Sequence, residues 1–191
     1  MTAATGLDPR APEVISAEEM RAGFDRLAAA IQPLIDSEDC VLLAVLNGGV
    51  YPLMELTRRL HGDFLFDFCH ATRYRGATTG AAIEWLRRPP ESVRDRTVLL
   101  VDDILDVGDT LDAVVSACRE AGAVAVHSVI PVVKDTPARP PGRTADFTAG
   151  IVVPDVYVFG CGMDVAGRWR HLPAIYEWPE NLPLPGEKSH Q

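Results

Sequence analysis

Apolar positions along the chain alternate between short continuous runs and stretches with helical spacing. Met20, Phe24, Leu27, Ala28 and Ile31 recur every three or four residues, which predicts an amphipathic helix. Ser16 and Glu19 form a candidate capping box at its start, and Pro33 with the acidic stretch 36–39 is expected to close it. Residues 1–15, with Pro9 and Pro12, read as a loose leader. Residues 41–46 are uninterrupted apolar, the pattern of a strand buried on both faces. Gly48-Gly49 turns the chain into a predicted helix over 51–60, and 64–70 is a second strand. Residues 72–90 are polar, with two arginines close together and Pro89-Pro90, and read as a functional loop or hairpin. Residues 97–101 are the clearest strand. A helical pattern through Leu111, Val114, Val115 and Cys118 then stops at Gly122. Further strands are expected over 124–133, 151–153, 156–159 and 171–176, and residues 178–191 read as a surface wrap.

Strands alternating with helices predict an α/β fold, a mostly parallel sheet flanked by helices, in which ligands bind beyond the carboxyl ends of the strands. The 191 residues fit a single domain, and 47% hydrophobic with 24% charged residues is ordinary for a folded chain. The net charge of −9 argues against a broad nucleic-acid-binding face but leaves small anions open, because backbone N–H groups and metal ions can receive them. Cys40, Cys69, Cys118 and Cys161 lie far apart in apolar stretches without zinc spacing and are read as buried thiols in a reducing compartment. No signal pattern or apolar run of about 20 residues is seen, so a cytoplasmic protein without membrane contact is expected.

The chemistry concentrates where strands stop. The apolar run Val98-Leu99-Leu100-Val101 passes directly into Asp102-Asp103, then Ile104-Leu105-Asp106-Val107-Gly108-Asp109-Thr110, then the helix. Neighbouring strand residues point to opposite faces, so the two acids need not act alike. Val107, Gly108, Asp109 and Thr110 can wrap a phosphate with backbone N–H groups at a helix start, Gly108 permitting close approach and Thr110 adding a hydroxyl. The residues alone leave two other readings open: acids that only cap the next helix, or a Mg²⁺ pocket of the receiver kind.

This segment resembles the phosphoribosyl pyrophosphate signature of type I phosphoribosyltransferases, and the order of the other motifs resembles the hypoxanthine-guanine members. The resemblance spans about residues 40–178. It implies that Asp102 and Asp103 meet the ribose hydroxyls directly or through Mg²⁺, that Val107, Gly108, Asp109 and Thr110 hold the 5′-phosphate, and that Asp106 manages a purine proton. Asp109 departs from the neutral or basic residue common there and is expected to turn outward, because an anion beside a phosphate is unfavourable. Asn47-Gly48-Gly49 resembles the pyrophosphate loop, with Asn47 in place of a frequent lysine. Thr72-Arg73-Tyr74-Arg75-Gly76 resembles the start of a lid over the reacting centre, where Arg73 and Arg75 would help neutralise pyrophosphate. Lys134 aligns with a lysine that contacts the purine 6-oxygen. Residues 153–164 resemble the purine hood, implying that Tyr157 stacks on the base, that the Val158 backbone reads its edge, and that Asp164 acts on the metal and base side. Val156 replaces a common basic residue there, and Arg170 matches an arginine aimed at pyrophosphate.

The implied activity is transfer of the phosphoribosyl group to hypoxanthine or guanine, giving IMP or GMP and pyrophosphate in purine salvage. Mg²⁺ is the implied cofactor, held by Asp102, Asp103 and Asp164, and a homodimer or homotetramer the implied assembly. A single domain over 1–191 is expected, its hood built from about 150–191 with the N-terminal segment. Two rival readings are a transferase preferring xanthine or a pyrimidine, and a nucleotide-sensing regulator with the same fold; the acidic charge disfavours a nucleic-acid-binding regulator.

Overall fold

The computed structural model describes residues 11–73 and 83–185. Four parallel strands, β2 (Cys40–Val45), β3 (Leu65–Arg73), β5 (Thr97–Val101) and β7 (Ala125–Lys134), form the centre of the main sheet in the order β3-β2-β5-β7. The outer strands are β4 (Ile83–Arg87), antiparallel on β3, and β8 (Phe147–Val153), parallel on the far edge of β7. The short β6 (Ile104–Leu105) pairs with Val132 and Val133 of β7, continuing the line of β5 after the two acids interrupt it. Helices α1 (Ala17–Ser37), α2 (Val50–Thr57) and α3 (Asp109–Glu120) cover the sheet.

Alternation along the central strands builds two cores. Leu42, Ala44, Leu99 and Val101 pack with Met20, Phe24, Leu27 and Ile31 of α1, while Val41, Leu43, Val98 and Leu100 pack with Leu111, Val114 and Cys118 of α3. All six residues of β2 and all five of β5 are buried, which is why β2 and Val98–Val101 of β5 read as unbroken apolar runs; the hydroxyl of buried Thr97 donates to Glu38. The capping box forms as expected: the Glu19 N–H donates to Ser16 Oγ at 3.2 Å, and the Ser16 N–H donates to Glu19 Oε2 at 3.0 Å. Among the described residues no helix is long and apolar enough to cross a membrane.

Several expectations need correction. Pro33 does not end α1; the helix runs through it to Ser37, held by the burial of Ile31 and Ile35 on either side, and packing outweighs the lost backbone bond. Residues 13–15 are not leader. They form β1 (Glu13–Ile15), which pairs antiparallel with β10 (Ile175–Glu177), itself paired with β9 (Val158–Phe159) in a separate three-stranded sheet. Trp178 and Leu182 are not surface wrap; with Phe159, Val165 and Leu172 they make a third buried cluster under that small sheet. Residues 147–150 continue the strand expected only from 151. Pro131 in β7 has no N–H to offer, and the pairing of β7 with β8 shifts register between Ile130 and Val132, where β8 carries Gly150 at φ +72°.

Candidate active site

The carboxyl ends of the parallel strands supply the site residues: Asn47, Gly48 and Gly49 after β2, Asp102 and Asp103 after β5, Lys134 at the end of β7. Arg73 ends β3, and Tyr74 and Arg75 lie outside the described residues. Two adjoining cavities share Asp103, Ile104 and Asp106. One, of about 240 Å³, is walled by Lys134, Tyr157, Val158, Met163 and Asp164; the other, of about 170 Å³, by Asp102, Gly108, Thr110 and Leu111. A larger groove of about 490 Å³ runs behind the Asn47 turn along Val50, Tyr51 and Met54 of α2. It is bordered by Asn47, Gly162 and Arg170 as well as by Glu55, Arg58 and His171, and includes neither Asp of the pair.

The two acids have different neighbours, as expected, but their carboxyl groups do not point apart: they are close enough to share a hydrogen bond. Asp103 faces the Asn47–Gly49 turn and Arg170, whose Nη1 stands 4.0 Å from Asp103 Oδ2. Asp102 lies on the side of Gly108 and Thr110, and its Oδ1 accepts the Asp103 N–H at 2.9 Å, while Asp103 Oδ1 accepts the Ile104 N–H at 2.8 Å. Burial, reinforced by Asp103, holds Asp102 well above the ordinary carboxylate range. Burial likewise raises Asp103, with Arg170 opposing it. The pair is therefore a place where a cation is favoured.

Close backbone approach fixes the rest. A Cβ on Gly48 would overlap the Asp103 carboxylate, and one on Gly162, at φ +110°, would overlap the Gly48 carbonyl oxygen, so the two glycines and Asp103 form one tight stack. The Gly49 N–H is consumed by the turn, donating to Val45 O at 2.8 Å, so donors from this loop must come from Asn47 and Gly48. Arg170 Nη1 donates to Gly162 O at 2.6 Å, and its Nη2 pairs with Asp164 Oδ1 at 2.5 Å; Asp164 Oδ2 accepts the Gly167 N–H at 2.6 Å.

Lys134 Nζ pairs with Asp106 Oδ2 at 3.7 Å on the lining of the 240 Å³ cavity, to which half-exposed Tyr157 also contributes. The first three N–H groups of α3 precede its first helical bond, from Asp112 N to Gly108 O at 3.0 Å, so they point from the helix start without helical acceptors. Asp109 does turn aside, into an ion pair with Arg143 at 2.8 Å.

Sequence reasoning missed two arginines in the loop between β7 and β8. Arg139 Nη1 donates to the carbonyls of Leu105, Asp106 and Lys134, tying β6 and β7 together beside the 240 Å³ cavity. Arg143 binds the turn before α3, at the Val107 carbonyl oxygen and Asp109 Oδ1. Neither belongs to a periodic pattern; the one available signal was that Asp109 and Asp112 needed a cation. Among the described residues no three His, Cys, Asp or Glu side chains converge as a ready-made metal cage.

The sequence pattern of the phosphoribosyl transferase domain matches residues 14–166, and the chain belongs to that family. Hypoxanthine phosphoribosyltransferase of Escherichia coli K12 is 33% identical over 140 residues, covering 72% of this chain and 76% of that protein. Hypoxanthine-guanine phosphoribosyltransferase of Bacillus subtilis 168 is 30% identical over 166 residues, covering 85% and 89%. A solved hypoxanthine-guanine phosphoribosyltransferase from Bacillus anthracis superposes with a TM-score of 0.76 at 27% identity, covering 86% of this chain and 95% of that one. Within the family, the chain is a phosphoribosyltransferase of the hypoxanthine(-guanine) kind.

Proposed function

We propose that the chain transfers the phosphoribosyl group of phosphoribosyl pyrophosphate to a 6-oxopurine, hypoxanthine or guanine, releasing pyrophosphate and IMP or GMP. The observation that carries this reading is that Lys134 and Asp106, paired at 3.7 Å, line one small cavity that adjoins the acid pair and residues 107–110. Lys134 offers a positive donor to a 6-oxygen and would meet the amino group of adenine unfavourably. Tyr157 covers the base, the Val158 backbone reads its edge, and Val107, Gly108, Asp109 and Thr110 receive the 5′-phosphate at the start of α3. We read the small sheet β1-β10-β9 as the hood of a single domain.

In the reaction a purine nitrogen bonds to ribose C1 while the C1–oxygen bond to pyrophosphate breaks, its electron pair leaving with pyrophosphate. Asp106 takes the proton released by the base. The fixed phosphate and hydroxyl contacts hold C1 in line, and Asn47, Gly48 and Arg170 receive the departing phosphates. Arg73 and Tyr74 belong to the segment proposed to close over them and exclude water. A Mg²⁺ ion would be held by Asp102 and Asp103 together with substrate oxygens, with Asp164 on its base side, and when bound supplies charge to the leaving oxygens. The carboxylate oxygens of the acid pair are the donors a hard cation takes, and a bound cation would oppose the burial that raises both groups. Asp164 already spends both oxygens on Arg170 and Gly167, so its share is the smaller.

The test is a panel of hypoxanthine, guanine, xanthine, adenine and uracil with phosphoribosyl pyrophosphate and Mg²⁺, run on the natural chain and on Asp106→Asn. Turnover of hypoxanthine or guanine, lowered on the order of a hundredfold or more by Asp106→Asn with phosphoribosyl pyrophosphate binding retained, is expected. Unchanged turnover would remove Asp106 from the mechanism, and preference for xanthine, adenine or uracil would overturn the base assignment.

A further inference from the structure

An anion-receiving turn with an aspartate in its middle is a contradiction that the chain must resolve. Asp109 stands at the first position of α3, beside the N–H groups that would face the 5′-phosphate, where its charge would repel the ligand. Arg143 meets it from outside. Its Nη1 donates to Asp109 Oδ1 and to the Val107 carbonyl oxygen, each at 2.8 Å, and its Nη2 pairs with Asp112 Oδ2 at 2.6 Å. The arginine stem lies against the turn so closely that a Cβ on Gly108 would come within 2.5 Å of Arg143 Cδ. One side chain thus grips three successive points of the turn and first helical turn.

The grip on Val107 has a directional consequence. In a trans peptide the C=O and the following N–H point opposite ways. Binding the Val107 carbonyl therefore turns the Gly108 N–H away from Arg143. Gly108 and Thr110 line the 170 Å³ cavity, and Arg143 is not among its walls. Backbone N–H groups set in this way make an anion-receiving concavity.

We propose that Arg143 is a positioning residue for phosphoribosyl pyrophosphate: it orients the Val107–Gly108 peptide and cancels the charge of Asp109, so that a turn containing an acid still receives a phosphate. The inference rests on the reading of residues 107–110 as the 5′-phosphate site. It explains the departure at Asp109 by a partner elsewhere in this chain. Arg143 touches neither base wall, so its effect falls on one substrate only.

The experiment measures phosphoribosyl pyrophosphate binding by titration calorimetry with Mg²⁺, and steady-state kinetics, on the natural chain, Arg143→Ala, Arg143→Lys, Asp109→Asn and the double variant Arg143→Ala/Asp109→Asn, after thermal unfolding has shown each to be folded. Arg143→Ala is expected to weaken phosphoribosyl pyrophosphate binding and raise its KM by about tenfold or more, the scale of a lost charge-assisted contact, with the purine KM and kcat within about twofold. Arg143→Lys, which keeps the charge but not the fork, should fall between. The double variant should bind more tightly than Arg143→Ala, because the uncompensated acid is gone. Equal binding by the natural chain and a folded Arg143→Ala overturns the inference while leaving the function standing. Equal losses toward both substrates, or no recovery in the double variant, also overturn it. Failure of the natural chain to bind phosphoribosyl pyrophosphate overturns the functional reading and this inference with it. Should Arg143→Ala not fold, Arg143→Lys and Asp109→Asn carry the decision: unaltered phosphoribosyl pyrophosphate binding in Arg143→Lys refutes the fork.

Discussion

Replacing Gly162 by alanine tests how the loop after β9 meets the Asn47–Gly49 turn. At φ +110° an L-residue is strained by about 1–3 kcal/mol. The new methyl would also overlap the Gly48 carbonyl oxygen and come within 2.9 Å of Asp103 Cβ, neither of which is a flexible side-chain tip. Overpacking of this kind costs about 1–3 kcal/mol more, for a total of about 2–6 kcal/mol. Gly150 supplies the control within the same molecule, since it has φ +72° but nothing within 4 Å of an added Cβ. Gly150→Ala should therefore cost about 1–2 kcal/mol, the backbone contribution alone. Both changes restrict the unfolded chain equally, so that effect cancels in the comparison. Urea unfolding of the two variants without substrate gives the difference, and the KM for phosphoribosyl pyrophosphate should rise only in Gly162→Ala, where Gly48 and Asp103 must shift. If the two variants lose the same stability to within about 0.5 kcal/mol, the tight stack of Gly162, Gly48 and Asp103 is not a structural constraint and the reasoning fails.

Burial raises the Cys40 thiol to about 11 and those of Cys69, Cys118 and Cys161 to about 12, so thiol reagents at pH 8 should label the native protein negligibly and all four cysteines in urea. The same shifts set a sign: above about pH 9 the unfolded chain loses thiol protons that the native state keeps. Stability should therefore fall with rising pH, by up to about 1.4 kcal/mol per pH unit for each thiol, as denaturant titrations at pH 8, 9 and 10 would show; a flat profile would refute it. Ser16→Ala removes the capping hydroxyl from Glu19 N and should cost about 1 kcal/mol in urea unfolding. Hydrogen bonds from Ser16 hold the Glu19 carboxyl below its usual range, a contribution present above the unfolded carboxylate pKa and lost on acidification, so the gap between Ser16→Ala and the natural chain should narrow below about pH 4.

What could be read from the sequence was what local order encodes. Residues 97–101 were legible because Val98–Val101, buried on a doubly covered sheet, are all apolar, and the same run points straight at Asp102 and Asp103. Helix α3 was legible from its spacing and from the stop at Gly122, which takes φ +96°. Other features depend on distant partners. Glu13–Ile15 has no pattern of its own and becomes a strand only because residues 175 and 176 lie beside it. Trp178 and Leu182 look like tail until Phe159 and Trp169 supply something to pack on; Trp178 stacks on Trp169 with ring centres 5.4 Å apart. Arg139 and Arg143 act on carbonyls and acids about 30 residues away in sequence, and no spacing rule carries such a contact. Of the candidate site, the acids were visible because they follow a strand, and the Asn47–Gly49 loop and Lys134 through the family resemblance, whereas the arginines that brace them were not.

The small sheet brings a further consequence. Its outer strands come from residues 13–15 and 158–159 and its middle strand from residues 175–177, while Tyr157, at the edge of the 240 Å³ cavity, is tied to Trp178 through a backbone bond of 2.7 Å from Trp178 N to Tyr157 O. Distant stretches of the chain thus close like a clasp beside that cavity, and Ile15, Val158 and Ile175 share one core with the parallel strands beneath. Loosening the clasp, by trimming or by a bulky fusion ahead of residue 13, would therefore be felt in the cavity wall and in that shared core together.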